Sequence, residues 1–151
     1  MVSLTEENYL KALYRLSQDK QEITVKDIAA QLSIKMPTVN SMIKKLAEKK
    51  LLKYEKYKAI ELTEKGKKAA LYILRKHRLA ELFLTKVMSL GWDEVHEIAE
   101  QIEHIQSELF FGRIDKMLGH PAFDPHGEPI PDANGKLPVH KTIPQIGRAH
   151  V

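Results

Sequence analysis

The arrangement of residues 24–63 constrains the fold of this chain more than any other feature of its sequence. Thr24 precedes the segment VKDIAAQL as a helix N-cap, and an acidic residue three positions further on completes a capping box. After the short break SIKM, Pro37 lies in the first turn of a second helical segment, PTVNSMIKKLAEKK. Two strand-like segments, 51–56 and 59–63, follow and are joined by a tight, basic connection. This order of elements predicts a winged helix-turn-helix with a two-stranded wing.

Helical periodicity also dominates the remainder of the chain. Further helices are expected over residues 5–18, from Thr63 to about Leu90, over about 93–110 and over about 112–118. From Gly119 onward, prolines and turn residues exclude a regular helix and predict an extended ordered loop or a linker. The fold is therefore expected to be mainly α, with a winged helix-turn-helix over residues 1–68, a helical module over 69–119, and a Pro-rich loop and tail over 120–151.

Composition excludes several classes of protein. The chain has 151 residues and no cysteine, so disulfides, thiolate zinc sites and iron–sulfur clusters are excluded. No apolar run has the length of a signal peptide or a membrane span, and we expect a cytoplasmic protein with no membrane partner. Residues 1–68 hold 15 Lys/Arg against 9 Asp/Glu, whereas residues 69–151 hold 9 against 11 and contain all seven histidines. This division suggests polyanion contact in the first part and metal or proton chemistry in the second, although lysines decorate any helical surface.

The second helix of the predicted helix-turn-helix offers a small polar face suited to DNA. Asn pairs with adenine, hydroxyls reach phosphates or base edges, and Lys binds phosphate or guanine. Lysines outnumber acidic residues eight to two between residues 35 and 58. The alternative is a winged domain that makes only protein contacts and has a solvated basic face. The residues expected to contact double-stranded DNA are Lys35, Thr38, Asn40, Ser41 and Lys44, with Lys56, Tyr57 and Lys58 at the wing tip.

A cluster of imidazole and carboxylate side chains follows in the second part of the chain. In HEIAEQIEH, the side chains at i, i+4, i+7 and i+8 lie on one face of a helix, and these are His96, Glu100, Glu103 and His104. On the preceding helix, His77 and Glu81 form another i, i+4 pair. Such a ligand set without sulfur favours Mn²⁺, Fe²⁺, Co²⁺ or Zn²⁺ over softer metals. The alternative is a surface helix with ordinary glutamates and incidental histidines.

The same segment does not indicate an enzyme. A zinc protease motif of the HExxH type requires a second histidine three residues after the glutamate, and His96-Glu97 is followed instead by Ile98-Ala99-Glu100. The sequence also contains no nucleophile elbow and no phosphate-binding loop. A regulatory metal therefore fits the sequence better than a catalytic one.

Taken in order, these segments resemble the iron- and manganese-dependent repressors of the DtxR/MntR type. The likeness runs from ENYLKALYRL through the helix-turn-helix, RKHRLAE and EQIEH to DPHGEPIP, and so covers nearly the whole chain. It implies a metal-dependent DNA-binding regulator that represses metal-uptake genes, with Mn(II) or Fe(II) as co-repressor. It further implies that the helical module binds the metal and forms a homodimer, which fixes two winged domains for a palindromic operator.

The resemblance also implies which side chains hold the metal. A primary site would use Glu100, Glu103 and His104, with His77 close by, and an ancillary site would draw on Glu81 and His96. Asp124 and His126 stand where some manganese-responsive relatives carry a Cys-Pro-His ligand segment. On the DNA-reading helix, the resemblance adds Pro37 to Thr38, Asn40 and Ser41.

The sequence departs from the family pattern at several positions. Asn8 stands where relatives carry an Asp or Met ligand, and its amide oxygen is a weaker ligand. Lys11 stands where some manganese members carry a second carboxylate, and it cannot ligate while protonated. Glu100 replaces the Cys of iron-responsive members, which favours manganese. The sequence ends at IPQIGRAHV, so we expect it to lack the SH3-like β-domain of many relatives.

Other functions remain open at this point. One is a metal-independent winged-helix regulator, and another is a small metalloenzyme or metal-binding protein without sequence-specific DNA binding. A third is a repressor left permanently in its metal-free form by the changes at Asn8 and Lys11. The expected dimer interface uses apolar residues that would equally form an intrachain core, and these are Leu109, Phe110, Phe111, Ile114 and Leu118.

Overall fold

The computed structural model describes residues 2–138, which form six helices and one two-stranded antiparallel sheet. The elements are α1 Leu4–Asp19, α2 Val25–Leu32, α3 Met36–Glu48, β1 Leu52–Lys53, β2 Glu61–Leu62, α4 Glu64–Lys86, α5 Trp92–Ile102 and α6 Glu108–Met117. The expected mainly α fold with an N-terminal winged helix-turn-helix is confirmed. The end of the predicted Pro-rich tail, 139–151, lies outside the described residues.

Several predicted boundaries differ from the observed ones, and α4 ends at Lys86 rather than near Leu90. The helix expected over about 93–110 ends at Ile102, and α6 begins at Glu108, because the Ser107 hydroxyl accepts a hydrogen bond from Phe110 N at 3.1 Å and caps a new helix. The wing strands are two residues each, with Leu52 paired to Leu62. Five of the eleven residues predicted as strand belong instead to the connection between β1 and β2, which includes a left-handed residue, Tyr57, at φ 68°.

The winged domain has its own apolar core. The helical spacing of Val39, Ile43 and Leu46 places all three on the buried face of α3, where each is completely shielded from solvent. They pack with Leu10 and Leu13 of α1 and with apolar residues of the wing. Burial of each such side chain contributes roughly 1.5–3 kcal/mol, so this core fixes how α3 presents its opposite face.

Helix α4 joins the winged domain to the helices that follow. Its first half, through Leu74, packs into the winged core, whereas Leu79 and Leu84 pack against α5 and α6 in two separate apolar clusters. Close packing at its start depends on Gly66, since a Cβ there would lie 2.0 Å from the Leu51 carbonyl oxygen. One continuous 23-residue helix therefore belongs to both parts of the molecule.

The Pro-rich loop that follows α6 folds back onto α4. Arg75 Nη1 donates to the Pro131 carbonyl oxygen at 3.2 Å, and Arg78 Nη1 donates to that of Pro129 at 2.6 Å. Ile130 is buried in the cluster that contains Leu79 and Phe111. These contacts bring Asp124 and His126 alongside the second half of α4.

Candidate metal centre and nucleic-acid interface

Six side chains from α4, α5 and the Pro-rich loop converge around one carboxylate, that of Glu81. We call them the Glu81 cluster: His77, Glu81, His96, Asp124, His126 and Glu128. Their ligand atoms form two groups that share Glu81, and within each group the atoms lie within 4.8 Å of one another. Three imidazoles and three carboxylates from distant parts of the sequence are thus brought together.

The two oxygens of the Glu81 carboxylate face different partners. Oε2 lies 3.2 Å from His77 Nε2 and 3.4 Å from His96 Nδ1. Oε1 lies 3.7 Å from His126 Nδ1 on the loop side. The i, i+4 spacing on α4 places His77 beside Glu81, and the packing of α5 against α4 supplies His96.

The loop side of the Glu81 cluster is organised by backbone hydrogen bonds. Asp124 Oδ1 accepts from the backbone N–H groups of His126 at 2.9 Å and Glu128 at 2.8 Å. The turn closes through Gly127, whose φ of 84° favours a residue without a side chain. The second oxygen, Oδ2, points into the cluster and lies 3.7 Å from His126 Nδ1.

The pKa values of the facing Glu81 and Asp124 carboxylates are shifted in opposite directions. Burial alone would raise the pKa of Glu81, but the close contact with His77 and the charge of that imidazole outweigh it and lower the pKa to about 2. Burial raises the pKa of Asp124 to about 6, and the neighbouring Glu81 carboxylate adds to the increase. The negative charge on Glu81 therefore opposes a second negative charge on Asp124, and a cation between them would relieve that repulsion.

Buried polar atoms without a partner test whether this cluster fits a metal. Within residues 2–138, His77 Nε2, Glu81 Oε1 and Asp124 Oδ2 are buried and have no hydrogen-bond partner. Buried polar atoms nearly always have one, so three in a single cluster indicate a missing binding partner. Imidazole and carboxylate donors without sulfur suit Mn²⁺ or Fe²⁺. The residues of the Glu81 cluster therefore fit a divalent transition metal.

A second polar contact, which we call the α1–α5 contact, joins the winged domain to α5 and the residues directly after it. Glu103 is completely buried, and its Oε2 accepts a hydrogen bond from Lys11 Nζ at 2.6 Å. Its other oxygen, Oε1, lies 2.6 Å from His77 Nδ1. Next to it, His104 Nδ1 lies 2.7 Å from Glu7 Oε1. Burial raises the pKa of Glu103, but the contacts with His77 and Lys11 outweigh it and hold that pKa below its ordinary value.

The residues expected to form the primary metal site lie around this contact. Asn8, Glu100 and His104 line one open cleft between α1 and α5. Lys11 Nζ lies 3.7 Å from Glu100 Oε2 and 2.6 Å from Glu103 Oε2, so an ammonium group occupies the position between the two carboxylates. Both Glu103 oxygens are thus engaged by protein groups, and the primary ligand set stays a prediction.

Two residues of these sites, Glu7 and Glu128, did not emerge from the sequence, and Lys11 emerged only as a position that cannot ligate a metal. Glu128 follows His126 by two positions in DPHGEPIP, and that proximity was the only available signal for it. Glu7 and Lys11 share a face of α1 through their i, i+4 spacing, which indicates a common partner but does not identify it.

The residues predicted to contact DNA lie on the surface of the winged domain. On α3 and at its N-cap, Lys35, Pro37, Thr38, Ser41 and Lys44 are exposed and Asn40 is half-buried, opposite the buried apolar face. At the wing tip, Lys56, Tyr57 and Lys58 are exposed, and Tyr57 is 92% exposed. The winged domain therefore presents two basic surfaces, one on the face of a helix and one on a hairpin.

Sequence comparison identifies both parts of the chain. Residues 1–60 match the iron-dependent repressor N-terminal DNA-binding domain, and residues 63–132 match the iron-dependent repressor metal-binding and dimerisation domain. The chain belongs to the iron-dependent repressor family. The resemblance inferred from the sequence is thereby confirmed, and the family is one of DNA-binding repressors rather than enzymes.

Individual relatives agree with this assignment. The iron-dependent repressor IdeR of Mycobacterium tuberculosis is 39% identical over 127 residues, which cover 84% of this chain and 55% of that protein. A solved manganese-dependent transcriptional repressor in complex with manganese is 38% identical with a TM-score of 0.82, over 89% of this chain and 62% of that one. The manganese regulator SloR is 41% identical with a TM-score of 0.77, over the same shares of the two chains.

The chain spans 55% of the length of IdeR. Among the helices within residues 2–138, none has both the length and the apolar composition needed to cross a membrane.

Proposed function

We propose that this chain is a metal-dependent transcriptional repressor that acts in the cytoplasm, binds a palindromic operator as a homodimer, and controls metal-uptake genes. Mn(II) or Fe(II) is the co-repressor. The observation that carries this proposal is the set of three unpartnered buried atoms in the Glu81 cluster, located in a domain that continues into a winged helix-turn-helix through α4.

Metal bound at the Glu81 cluster would supply positive charge for the facing carboxylates and fix the positions of the imidazoles. His77 would bind through Nε2, because its Nδ1 lies 2.6 Å from Glu103 and is committed to that carboxylate. A carboxylate behind a ligating histidine sets the tautomer and orientation of the ring. Glu103 is therefore assigned the role of orienting His77, in addition to the primary-site role implied by the family resemblance.

The same Glu103 carboxylate links the metal centre to the winged domain. Its Oε2 holds Lys11 of α1, while Oε1 holds His77 of α4. Order imposed on His77 is thus transmitted through the buried Glu103 carboxylate to α1, which packs against α2 of the winged domain. A coupling free energy of about 1–3 kcal/mol, typical of allosteric proteins, would change DNA affinity by roughly 5- to 150-fold.

The proposed homodimer uses only part of the apolar set found in the sequence. Phe111 and Ile114 are buried within the chain, in the cluster that includes Leu79. Leu109 and Phe110 on the same helix are 74% and 40% exposed. The exposed pair therefore remains for the partner subunit, whereas the buried pair belongs to the intrachain core.

A DNA-binding titration tests the proposal. The probe is a duplex selected from a random-sequence pool by the Mn²⁺-loaded full chain, and affinity is measured by fluorescence anisotropy with Mn²⁺, with Fe²⁺ under anaerobic conditions, and with chelator. We expect tighter binding with metal and loss of the metal effect in Glu81→Gln. Exposed Glu97 on α5, outside the cluster, supplies the matched control Glu97→Gln. Equal affinity with metal and with chelator would refute metal dependence.

One observation favours a second function, that of a metal-independent winged-helix regulator. The α1–α5 contact is closed by a direct ion pair between Lys11 and Glu103, whose side chains are both buried. If this ion pair alone orders the winged domain, operator binding will be the same in chelator and in Mn²⁺. The titration above distinguishes the two functions directly.

A further inference from the structure

We propose that the Glu81 carboxylate bridges two metal positions, so that one chain holds two divalent ions within the Glu81 cluster. One position lies on the helix side, with His77 and His96. The other lies on the loop side, with Asp124, His126 and Glu128. This inference rests on the proposed metal dependence and specifies how many ions that dependence involves.

The distances separate the cluster into two groups of ligands. In the part of the chain that the structure describes, one group is His77, Glu81 and His96, and the other is Glu81 with the three loop residues. Metal–ligand bonds of roughly 2.0–2.2 Å place the donors of a single ion at most about 4.4 Å apart. Because the six ligand atoms do not form one group within 4.8 Å, a single ion would leave one side of the cluster unused.

The unpartnered buried atoms fall on both sides of Glu81. His77 Nε2 lies on the helix side, whereas Glu81 Oε1 and Asp124 Oδ2 lie on the loop side. All three residues are more than nine-tenths buried. An ion on either side alone would leave at least one buried polar atom of the other side without a partner, which proteins generally avoid.

Each side also has its own supporting contacts. On the helix side, Glu103 Oε1 lies 2.6 Å from His77 Nδ1 and orients the ring toward Glu81. On the loop side, two backbone N–H groups fix Asp124 Oδ1 and leave Oδ2 directed inward. Ligands that are oriented before a metal binds are characteristic of metal sites. The two sides are therefore supported independently, as two positions would require.

Counting ions in variants of the full chain tests this inference. Glu100→Gln/His104→Ala serves as the background, because it removes two of the three predicted primary ligands and leaves Glu103 to orient His77. In that background we expect two Mn²⁺ per chain by equilibrium dialysis, and an electron paramagnetic resonance spectrum showing exchange coupling between two Mn²⁺ ions. His96→Ala and His126→Ala should each reduce the count to one and restore the spectrum of an isolated ion.

These substitutions suit the measurement because both side chains are partly exposed, 51% for His96 and 34% for His126. The matched control is His120→Ala, since His120 lies in the same loop, is exposed, and contacts Asp115 outside the cluster. It should leave the count at two. Circular dichroism and urea midpoints verify that each variant is folded.

A count of one in the background, abolished equally by His96→Ala and His126→Ala, would overturn the inference in favour of a single ion. A count of zero would overturn this inference and would also remove the Glu81 cluster as the place where the co-repressor binds. Two coupled ions with DNA affinity unchanged by chelator would support the bridging carboxylate and refute the proposed function. Metal-dependent DNA binding with only one ion in the Glu81 cluster would support the proposed function and refute the bridging carboxylate.

Discussion

The ion pair between Lys11 and Glu103 is expected to make a large contribution to stability, and Lys11→Met tests it. The Nζ–Oε2 distance is 2.6 Å, and the side chains are only 7% and 0% exposed. Removing one partner of a buried pair leaves an uncompensated charge and costs about 3–5 kcal/mol. Glu103 retains its 2.6 Å contact with His77, so we expect the lower end of that range, about 3 kcal/mol.

Urea unfolding in the presence of chelator, near neutral pH, measures this cost. In a thermal melt under the same conditions, a loss of about 3 kcal/mol corresponds, for a chain of this size, to a fall in Tm of roughly 6–12 °C. The matched control on the neighbouring surface is Lys20→Met, which breaks a pair with Asp27 whose side chains are 48% and 19% exposed. That substitution should cost about 0.2–1 kcal/mol.

A double substitution separates the free-energy contribution of the ion pair from other effects of removing Lys11. Adding Glu103→Gln to Lys11→Met removes the stranded carboxylate, so the double variant should be more stable than the sum of the two single losses. If Lys11→Met costs no more than Lys20→Met, the ion pair does not hold α1 against α5. The route from His77 through Glu103 to the winged domain would then be refuted.

Three further predictions concern the winged domain and its neighbours. Glu6 is buried and paired with Lys49 at 2.8 Å; burial opposes the shift, but this lysine and the Ser3 cap lower its pKa below 4.5. The stability that the ionised Glu6 contributes is therefore fully present above about pH 4.5 and is lost as the pH falls through its lowered pKa. Urea titrations should show that Glu6→Gln is less stable than the parent chain near neutral pH and equally stable in acid. Gly66→Ala should destabilise by about 1–3 kcal/mol, because the new Cβ meets the Leu51 carbonyl. Gly112→Ala in α6, where nothing lies within 4 Å, should stabilise by about 0.5–1 kcal/mol; equal effects of the two substitutions would contradict the close approach. Lys44→Ala should weaken DNA binding for all sequences and reduce the salt slope by about 1, measured by anisotropy from low to moderate salt; an unchanged slope would exclude a phosphate contact.

Much of the fold followed from patterns within single segments. The capping box at Thr24 and the buried stripe of Val39, Ile43 and Leu46 were sufficient to predict the helix-turn-helix, since both depend on residues three or four positions apart. The break between α5 and α6 was missed because no Gly or Pro marks it. It depends on Ser107, and a single serine is a weak signal because serine also occurs inside helices.

The candidate site was only partly accessible in this way. Helical spacing identified His77 with Glu81, and His96 with Glu100, because each pair lies one helical turn apart. Glu128 was missed because an exposed glutamate in a loop has no local signature. Its inclusion depends on the loop folding back onto α4, which Arg75 and Arg78 hold through backbone carbonyls more than 50 residues away in sequence.

The sequence by itself determined the helices, the polar face of α3 and the kinds of ligand available, because each is a property of neighbouring residues and their spacing. Only the tertiary structure decided which groups meet. Lys11 and Glu103 are 92 residues apart, and nothing in either segment specifies the other as its partner. Their pairing follows from the packing of α1, α4 and α5 around shared apolar surfaces, which buries the two charges at a distance where each compensates the other.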